Sequence, residues 1–421
     1  MEKEKFIKEL ESELKSKNFI KEKINLNILN DIDVIGFDLD HTLVIYNNKN
    51  MINLLYSSYS NYLISHKNYP KEISYENNEN FIINFTELGL ILDCEKGNVL
   101  KLSNNKQIIK AFHGKKELSK EEILKFYPSE KFEEFDFNLK FKENKYLLNN
   151  GNFDFGTSAL FSLCVEMLDN DKLNNIVNKN DYNKIIFDII ESYVYNFHLK
   201  DNKTDFTHES DYYKGISSNI HKYIYNYNAM NILKKLKEKG KKIFLATNSF
   251  FSYANFILIN SIGENYLDVF DLGFYNCKKP FFFLKNQNNL KCFLKDGKEI
   301  KIEDNLNENE YKKIKETKIL YEGNYKIVEN FFKKDLNKNN INFMFIGDDI
   351  YNDCDIPSKL NNWKSININD NIKAGFLGEK IEFGKFWKEN NNNNYSNLNC
   401  DKILNSTEIV LSNIESLKYF I

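Results

Sequence analysis

An α/β fold built on a doubly wound parallel sheet is expected from three short apolar runs, each of which stops abruptly at polar residues. Val34-Ile35-Gly36-Phe37 ends at Asp38-Leu39-Asp40-His41-Thr42, Lys242-Ile243-Phe244-Leu245-Ala246 ends at Thr247-Asn248-Ser249, and Asn342-Phe343-Met344-Phe345-Ile346 ends at Gly347-Asp348-Asp349. Runs that are apolar on both faces suit buried parallel strands, and open α/β sheets present their sites at the carboxyl ends of such strands. A helical segment precedes the second run, from Ala229 to Lys239 with Gly240 as its stop, and supplies the crossover that parallel pairing needs.

In chain order, Met1 to Lys23 sets Phe6, Ile7, Leu10 and Leu14 at helical spacing among Lys and Glu, and it lacks the apolar stretch of a signal peptide. About 200 residues separate the first strand from the second, far beyond an ordinary βα connection, so this stretch must hold an inserted unit. Residues 51–225 are read as a cap over the crevice, and 1–50 with 226–421 as a discontinuous catalytic core. Within the insertion, Leu90 to Asp93 and Asn98 to Leu102 flank Glu95-Lys96-Gly97 as a hairpin would, and Ala159 to Leu168 and Ile185 to Phe197 read as helices. A second excursion, Phe281 to Ile302, alternates and carries the hairpin signal Asp296-Gly297. The run Asn390 to Asn394 reads as a surface loop, and Ile403 to Phe420 as a closing helix.

Composition narrows the partners. With 42% hydrophobic and 28% charged residues the chain can bury a large core, and its net charge of −2 favours neither a nucleic acid nor a membrane surface. No run approaches the roughly 18 apolar residues of a membrane span. The chain contains no arginine, so any anion must be held by lysine, backbone N–H groups or metal. Six cysteines lie scattered, with no C-x-x-C pair and no zinc-like grouping with histidine, as expected of reduced thiols in a cytoplasmic protein. Homo-oligomerisation is compatible with all of this.

The chemistry concentrates in carboxylates. Asp38 and Asp40 stand two apart at a strand end, where i and i+2 share a side. One aspartate can attack phosphorus and form an aspartyl-phosphate, while the other protonates the leaving oxygen and then activates water. A bland alternative, a turn pair after a strand, has no use for the further acids at Asp348 and Asp353. Asp38, Asp40, Asp348 and Asp353 make a hard-oxygen set that suits Mg²⁺. Thr247 offers a hydroxyl and a backbone N–H to a phosphate, Asn248 a further donor, and Lys279 a point charge, with adjacent Lys278 as its competitor. Asp349 and Asp355 read as caps or as supports behind the metal-binding acids, and His41, His113 and His198 as structural residues rather than metal ligands.

The four ordered motifs, Asp38-Leu39-Asp40-His41-Thr42, Thr247-Asn248-Ser249, Lys279 and Gly347-Asp348-Asp349-Ile350-Tyr351-Asn352-Asp353, resemble those of the haloacid dehalogenase phosphatases. A closer resemblance, from about Ile35 to the C-terminus, is to the cytosolic purine 5′-nucleotidase family. It is carried by Gly36-Phe37-Asp38-Leu39-Asp40, Gly97-Asn98-Val99-Leu100-Lys101, His113-Gly114, Phe244 to Ser249, Lys279-Pro280-Phe281-Phe282-Phe283, and Gly347-Asp348 with Trp363 beyond. That resemblance implies Asp38 as nucleophile, Asp40 as acid and base, Thr247, Asn248 and Lys279 on phosphate, and Asp348 and Asp353 serving magnesium. The implied substrate is a small phosphate ester, a nucleoside monophosphate. The family reads purines with an arginine and an aspartate one helical turn apart ahead of a histidine matching His198, and this chain has Glu191 and Tyr195 there. A weakened purine preference is therefore expected, with Phe153 as a candidate stacking face. Phosphotransfer to a nucleoside hydroxyl, a different small phosphate ester, and a non-catalytic binding role on the same fold are the alternatives.

Overall fold

The structure is a computed structural model that describes residues 2–17, 19, 23–136, 139–197, 210–225, 229–284, 290–293, 299–302, 306–369, 372, 383–388 and 406–421. Its first helix, Glu2–Ser16, buries Phe6, Leu10 and Leu14 as their spacing requires. Strand β1 (Val34–Phe37) follows, buried at every position. The long insertion then brings six antiparallel strands: β2 (Leu90–Asp93), β3 (Asn98–Leu102), β4 (Ile108–His113), β5 (Lys116–Glu117), β6 (Phe141–Lys142) and β7 (Tyr146–Asn149). They form one sheet in the order β5-β4-β3-β2-β7-β6. The expected hairpin is the β2–β3 pair, and the two expected helices run Thr157–Asp169 and Tyr182–Phe197.

Beyond the insertion come β8 (Lys242–Ala246), β9 (Leu272–Tyr275), β10 (Leu290–Phe293), β11 (Glu299–Ile302), β12 (Ile319–Tyr321), β13 (Phe343–Gly347), β14 (Lys364–Ile368) and β15 (Ile409–Leu411). With β1 they make a nine-stranded sheet in the order β11-β10-β12-β9-β8-β1-β13-β14-β15. From β12 to β15 every pairing is parallel, and only the β10–β11 hairpin adds antiparallel strands at one edge. The chain builds outward from β1 through β8, β9 and β12, then returns to pair β13 on the other side of β1. Strand β1 is thus the switch point, flanked by the two other strands whose ends carry the polar motifs.

Two expectations need correction. The closing segment is not helical throughout: among its described residues Ser406 is helical, Ile409-Val410-Leu411 is buried at all three positions as the strand β15, and a 3₁₀ turn, Ile414–Tyr419, follows. Two β-branched residues and a leucine completing a parallel edge outweighed the helical spacing around them. The excursion from Phe281 begins with a 3₁₀ turn, Phe281–Phe283, before the hairpin. The Asp296-Gly297 turn, the asparagine run Asn390 to Asn394 and His198 lie outside the described residues.

The insertion leaves and rejoins the core through a narrow neck. Tyr46 bridges antiparallel to Ile224, Asn47 N–H donates to Tyr223 O at 2.8 Å, and Tyr225 N–H to Ile45 O at 2.9 Å. A second tie comes from the C-terminal part of the chain. Trp387 is fully buried against Phe85 and Phe112, donates to Phe85 O at 2.7 Å and accepts from Lys101 Nζ at 3.0 Å.

Gly36 sits in the middle of β1 where two neighbouring rings cross it. A Cβ there would lie 2.3 Å from Phe244 Cζ and 2.6 Å from Phe345 Cδ2, both on fully buried side chains. These rings have no room to retreat in a core at crystal-like density. Gly36→Ala should therefore lower the unfolding free energy by about 1–3 kcal/mol in urea titrations.

Candidate active site

Each polar motif residue is placed by the end of its strand. Asp38 follows β1, Thr247 follows β8 and Asp348 follows β13, so three adjacent parallel strands deliver their side chains to one edge. Asp38 N–H still pairs with Ile346 O at 2.9 Å, which fixes the nucleophile candidate against the neighbouring strand. One oxygen each of Asp38, Asp348 and Asp353 lies within 4.8 Å of the others. Asp353 comes from a wide π-turn, Ile350–Asp355, whose start is capped by Asp349 Oδ1 accepting from the N–H groups of Tyr351 and Asn352, each at 2.9 Å. Gly347 makes the approach feasible, because a Cβ at that position would meet Asp353 Oδ2 at 2.3 Å. Asp355 bonds Lys359 at 2.7 Å and the Ser406 hydroxyl at 2.6 Å, outside the acidic group.

Lys279, not Lys278, enters this cluster. Its ammonium lies 2.8 Å from Asp38 Oδ1 and 2.6 Å from Asp353 Oδ1, whereas Lys278 is at the surface with Glu322, 2.7 Å away. Asn248 fastens the Lys279 backbone, accepting from its N–H at 2.6 Å and donating to its carbonyl at 3.4 Å. Its amide therefore holds the lysine loop, with one N–H remaining for a ligand. Thr247 differs from expectation in one respect: its backbone N–H is bonded to Phe274 O at 3.0 Å, because β8 and β9 continue their pairing past the last strand residue. Only the hydroxyl, which accepts from Ser249 N–H at 3.1 Å, is left for phosphate.

Asp40, read from the sequence as a fourth metal oxygen, stands outside the acidic group. Its Oδ1 accepts from the Tyr46 hydroxyl at 2.6 Å and its Oδ2 from the Ser249 hydroxyl at 2.7 Å, so both oxygens are turned to hydroxyl donors. His41 takes a left-handed backbone, φ 57°, and packs its ring on Tyr46 and Phe153 at 4.7 and 5.8 Å. Its Nε2 is buried with no hydrogen-bond partner among the described residues. His113 is a bonded structural residue as expected, held between Asn98 at 2.8 Å and Asp169 at 2.7 Å, far along the chain from the acids.

The insertion reaches the site as well. Asn152 Nδ2 donates to Asp348 Oδ2 at 2.7 Å, and Phe153 stands beside it with Phe197 at 5.5 Å and Tyr212 at 6.2 Å. Glu191 and Tyr195 face the other way, onto the helix Asn48–Lys67. Glu191 bonds Lys67 at 2.7 Å and Tyr62 at 2.8 Å, and Tyr195 packs on Tyr62 and His66 at 4.8 and 5.1 Å.

A model of the 5′ nucleotidase family matches residues 19–382. The chain belongs to the 5′-nucleotidase family. The human 5′-nucleotidase domain-containing protein 1 is 28% identical over 346 residues, which span 81% of this chain and 72% of that protein. The bovine protein of the same name is 28% identical over 353 residues, with 83% and 75% covered. A 5′-nucleotidase domain-containing protein of Dictyostelium discoideum is also 28% identical, over 80% of this chain and 53% of its own length. Membership in the family makes the chain a phosphoric monoester hydrolase of the nucleotidase type.

Charge is the dominant property of this nucleotidase site. Burial, and then the neighbouring carboxylates of Asp38, Asp353 and Asp349, push the Asp348 acid well above the usual carboxylate range. Burial raises Asp353 to about 8 against the pull of Lys279, with Asp38 adding to the rise. Burial and then Asp38 raise Asp40 to about 6, although the Tyr46 and Ser249 hydroxyls act the other way. Burial disfavours the Lys279 ammonium, but Asp353 and Asp38 outweigh it and hold the amine above its ordinary range. His41 is pushed down to about 3 by burial. One ammonium cannot balance three converging carboxylates, and oxygen donors at this spacing fit a divalent hard cation such as Mg²⁺.

The signals for Ser249 and Tyr253 were available in the sequence. Ser249 lies two residues past Thr247 at a strand end, and Tyr253, whose hydroxyl lies 3.1 Å from that of Tyr46, stands in the first turn of the helix Phe251–Ser261 that follows. Asn152 and Tyr212 carry no local signal, since only the folding of the insertion over the core brings them near the acids.

The raised acids have a consequence for stability. In the folded chain Asp40 and Asp353 hold protons that an unfolded chain releases near 3.8, so the folded state binds more protons between about 4 and about 8. Unfolding free energy should then fall as pH rises through that window in EDTA. Magnesium should flatten the fall by favouring the ionised acids. Urea unfolding across the window, with EDTA and with Mg²⁺, measures both; a slope of the opposite sign in EDTA would contradict these assignments.

Proposed function

We propose that the chain is a magnesium-dependent 5′-nucleotidase that works through an aspartyl-phosphate on Asp38. The observation that carries this reading is the convergence of Asp38, Asp348 and Asp353 around Lys279 at the ends of adjacent strands, with Asp40 two residues from Asp38. An Asp38 oxygen attacks phosphorus and the bond from phosphorus to the ester oxygen breaks. Asp40 gives its proton to that oxygen, and the nucleoside leaves as an alcohol. Asp40, now ionised, takes a proton from water as the water oxygen attacks the aspartyl-phosphate. The bond to Asp38 breaks, and inorganic phosphate is released. Lys279 and the Thr247 hydroxyl offset charge on the phosphoryl oxygens. Asp38, Asp348 and Asp353 would hold magnesium, which when bound screens these carboxylates from a dianionic phosphate and polarises it.

Residues 51–225, with Asn152 and Phe153 against the core, act in this reading as the cap that sets the leaving group. Among the described residues no helix is long and apolar enough to cross a membrane. Four buried free thiols, Cys94, Cys164, Cys277 and Cys354, suit the reducing cytoplasm where we place the enzyme.

Asp38→Asn removes the nucleophile but keeps shape, since the amide cannot form an acyl phosphate. Turnover should drop at least about 10³-fold while circular dichroism shows the fold retained. Comparable activity at matched purity would rule out the covalent route.

Substrate choice follows from the far side of the pocket. With no arginine, and with Glu191 and Tyr195 committed to Lys67, Tyr62 and His66, the polar pair that relatives present to a purine is missing. A site without those bonds loses discrimination more than it loses catalysis. Competition kinetics with IMP, GMP, AMP and pyrimidine monophosphates should show purine selectivity below about 10-fold. Strong selection of IMP and GMP would mean that other residues read the base.

A further inference from the structure

Three buried tyrosines stand in line behind Asp40. The Tyr46 hydroxyl bonds Asp40 Oδ1 at 2.6 Å, Tyr253 Oη lies 3.1 Å from Tyr46 Oη, and Tyr212 Oη lies 2.7 Å from Tyr253 Oη. All three rings are at most 4% exposed. The donors can be assigned by counting protons. Asp40 Oδ1 accepts from the Tyr46 hydroxyl, so the single Tyr46 proton goes to Asp40. Tyr46 must then accept from Tyr253, and Tyr253, its own proton used, must accept from Tyr212. Every hydroxyl therefore donates toward Asp40, and each bond polarises the next.

The three tyrosines come from different parts of the fold. Tyr46 is in the neck where the insertion departs, bridged to Ile224 where it returns. Tyr253 is on the helix Phe251–Ser261, which follows the Thr247 motif in the core. Tyr212 is on the helix Asp211–Ser218 of the insertion, its ring 4.5 Å from Phe197 and 6.2 Å from Phe153. The line thus runs from the wall of the insertion, through the core, to the carboxylate at the chemistry.

We propose that Tyr46, Tyr253 and Tyr212 are positioning residues that fix the orientation of Asp40 for proton delivery to the leaving oxygen, and that Tyr212 makes this orientation depend on the insertion being seated on the core. The proposal rests on the hydrolase reading given above. Ser249 holds the other Asp40 oxygen, so the carboxylate plane is set by two donors, and only one of them answers to the insertion. Loss of the Tyr46 donor frees the carboxylate to rotate about its last bond. Loss of Tyr212 weakens the same contact at a distance through the two remaining hydroxyls.

The test separates positioning from mere packing by the leaving group. A nucleoside alkoxide needs a proton to depart, whereas p-nitrophenolate leaves without one. Tyr46→Phe, Tyr253→Phe and Tyr212→Phe keep the rings and remove only hydroxyls. Single-turnover phosphoryl transfer from a nucleoside monophosphate should slow about 10-fold or more in Tyr46→Phe, with smaller losses in Tyr253→Phe and Tyr212→Phe. Transfer from p-nitrophenyl phosphate should stay within about 2-fold of wild type, and KM for both esters should hold. Equal losses on the two esters, or none on either, overturn the proposal. Tyr212→Phe is remote from the carboxylate and keeps the test decisive if Tyr46→Phe fails to fold. A wild-type chain without Asp38-dependent turnover of any ester overturns the hydrolase reading and the positioning role with it, whereas wild-type turnover with indifferent variants overturns the positioning role alone.

Discussion

Three carboxylates forced together at the edge of a parallel sheet are the constraint to which the surrounding structure answers. Strand β1 lies between β8 and β13, so the residues just past their ends cannot avoid one another. Like charges within 4.8 Å in a buried setting are unfavourable unless a cation joins them. Lys279 supplies one charge, and breaking such a buried pair by removing one partner typically costs about 3–5 kcal/mol. Several local features follow from holding that lysine and those acids in place: Asn248 clamps the Lys279 backbone, Gly347 leaves room for Asp353, and Asp349 caps the wide turn that carries it. The oxygens that converge here are hard donors at a spacing that fits a divalent cation.

The insertion adds a second requirement, that a large unit be seated over the acids without burying unpaired polar groups. Its neck closes with backbone bonds between Ile45–Asn47 and Tyr223–Tyr225, so the two crossing strands satisfy each other. Trp387, from the other end of the chain, ties the six-stranded sheet down a second time. Asn152 can then meet Asp348, and the Tyr212 hydroxyl can meet Tyr253, at hydrogen-bond distance. Proximity of this kind comes from packing far from the chemistry, on residues such as Phe85 and Phe112.

What the sequence reveals follows the same division. Asp38, Thr247 and Asp348 are legible because buried parallel strands are written as apolar runs, and the run's end marks where the sheet presents its side chains. The β2–β3 hairpin and the two helices of the insertion are legible for the same local reason, a period of two or of 3.6. The strand β15 is not, because three β-branched and apolar residues read equally well in either period until β14 offers an edge. The backbone N–H of Thr247 is misjudged because no sequence signal tells how far a ladder runs past a strand end. The side-chain bonds of Asp40 to Tyr46 and Ser249 are not legible either, because i and i+2 share a side of a strand only while the backbone stays extended, and the left-handed turn at His41 begins the next residue.

The absence of arginine bears differently on the acidic edge of the sheet and on the insertion. A guanidinium fork fixes both position and direction, whereas an ammonium fixes only a charge. In the mechanism proposed above, direction at the phosphate is already set by the strands, so Lys279 as a point charge suffices. At the leaving-group end the helix Tyr182–Phe197 turns Glu191 toward Lys67, while the ring of Phe197 faces Phe153 and Tyr212. Aromatic faces bind flat groups by area and polarizability and distinguish poorly between rings that differ in one exocyclic substituent. In the function proposed above, the chemistry is thus held rigid where charge demands it, and the leaving group is held by shape.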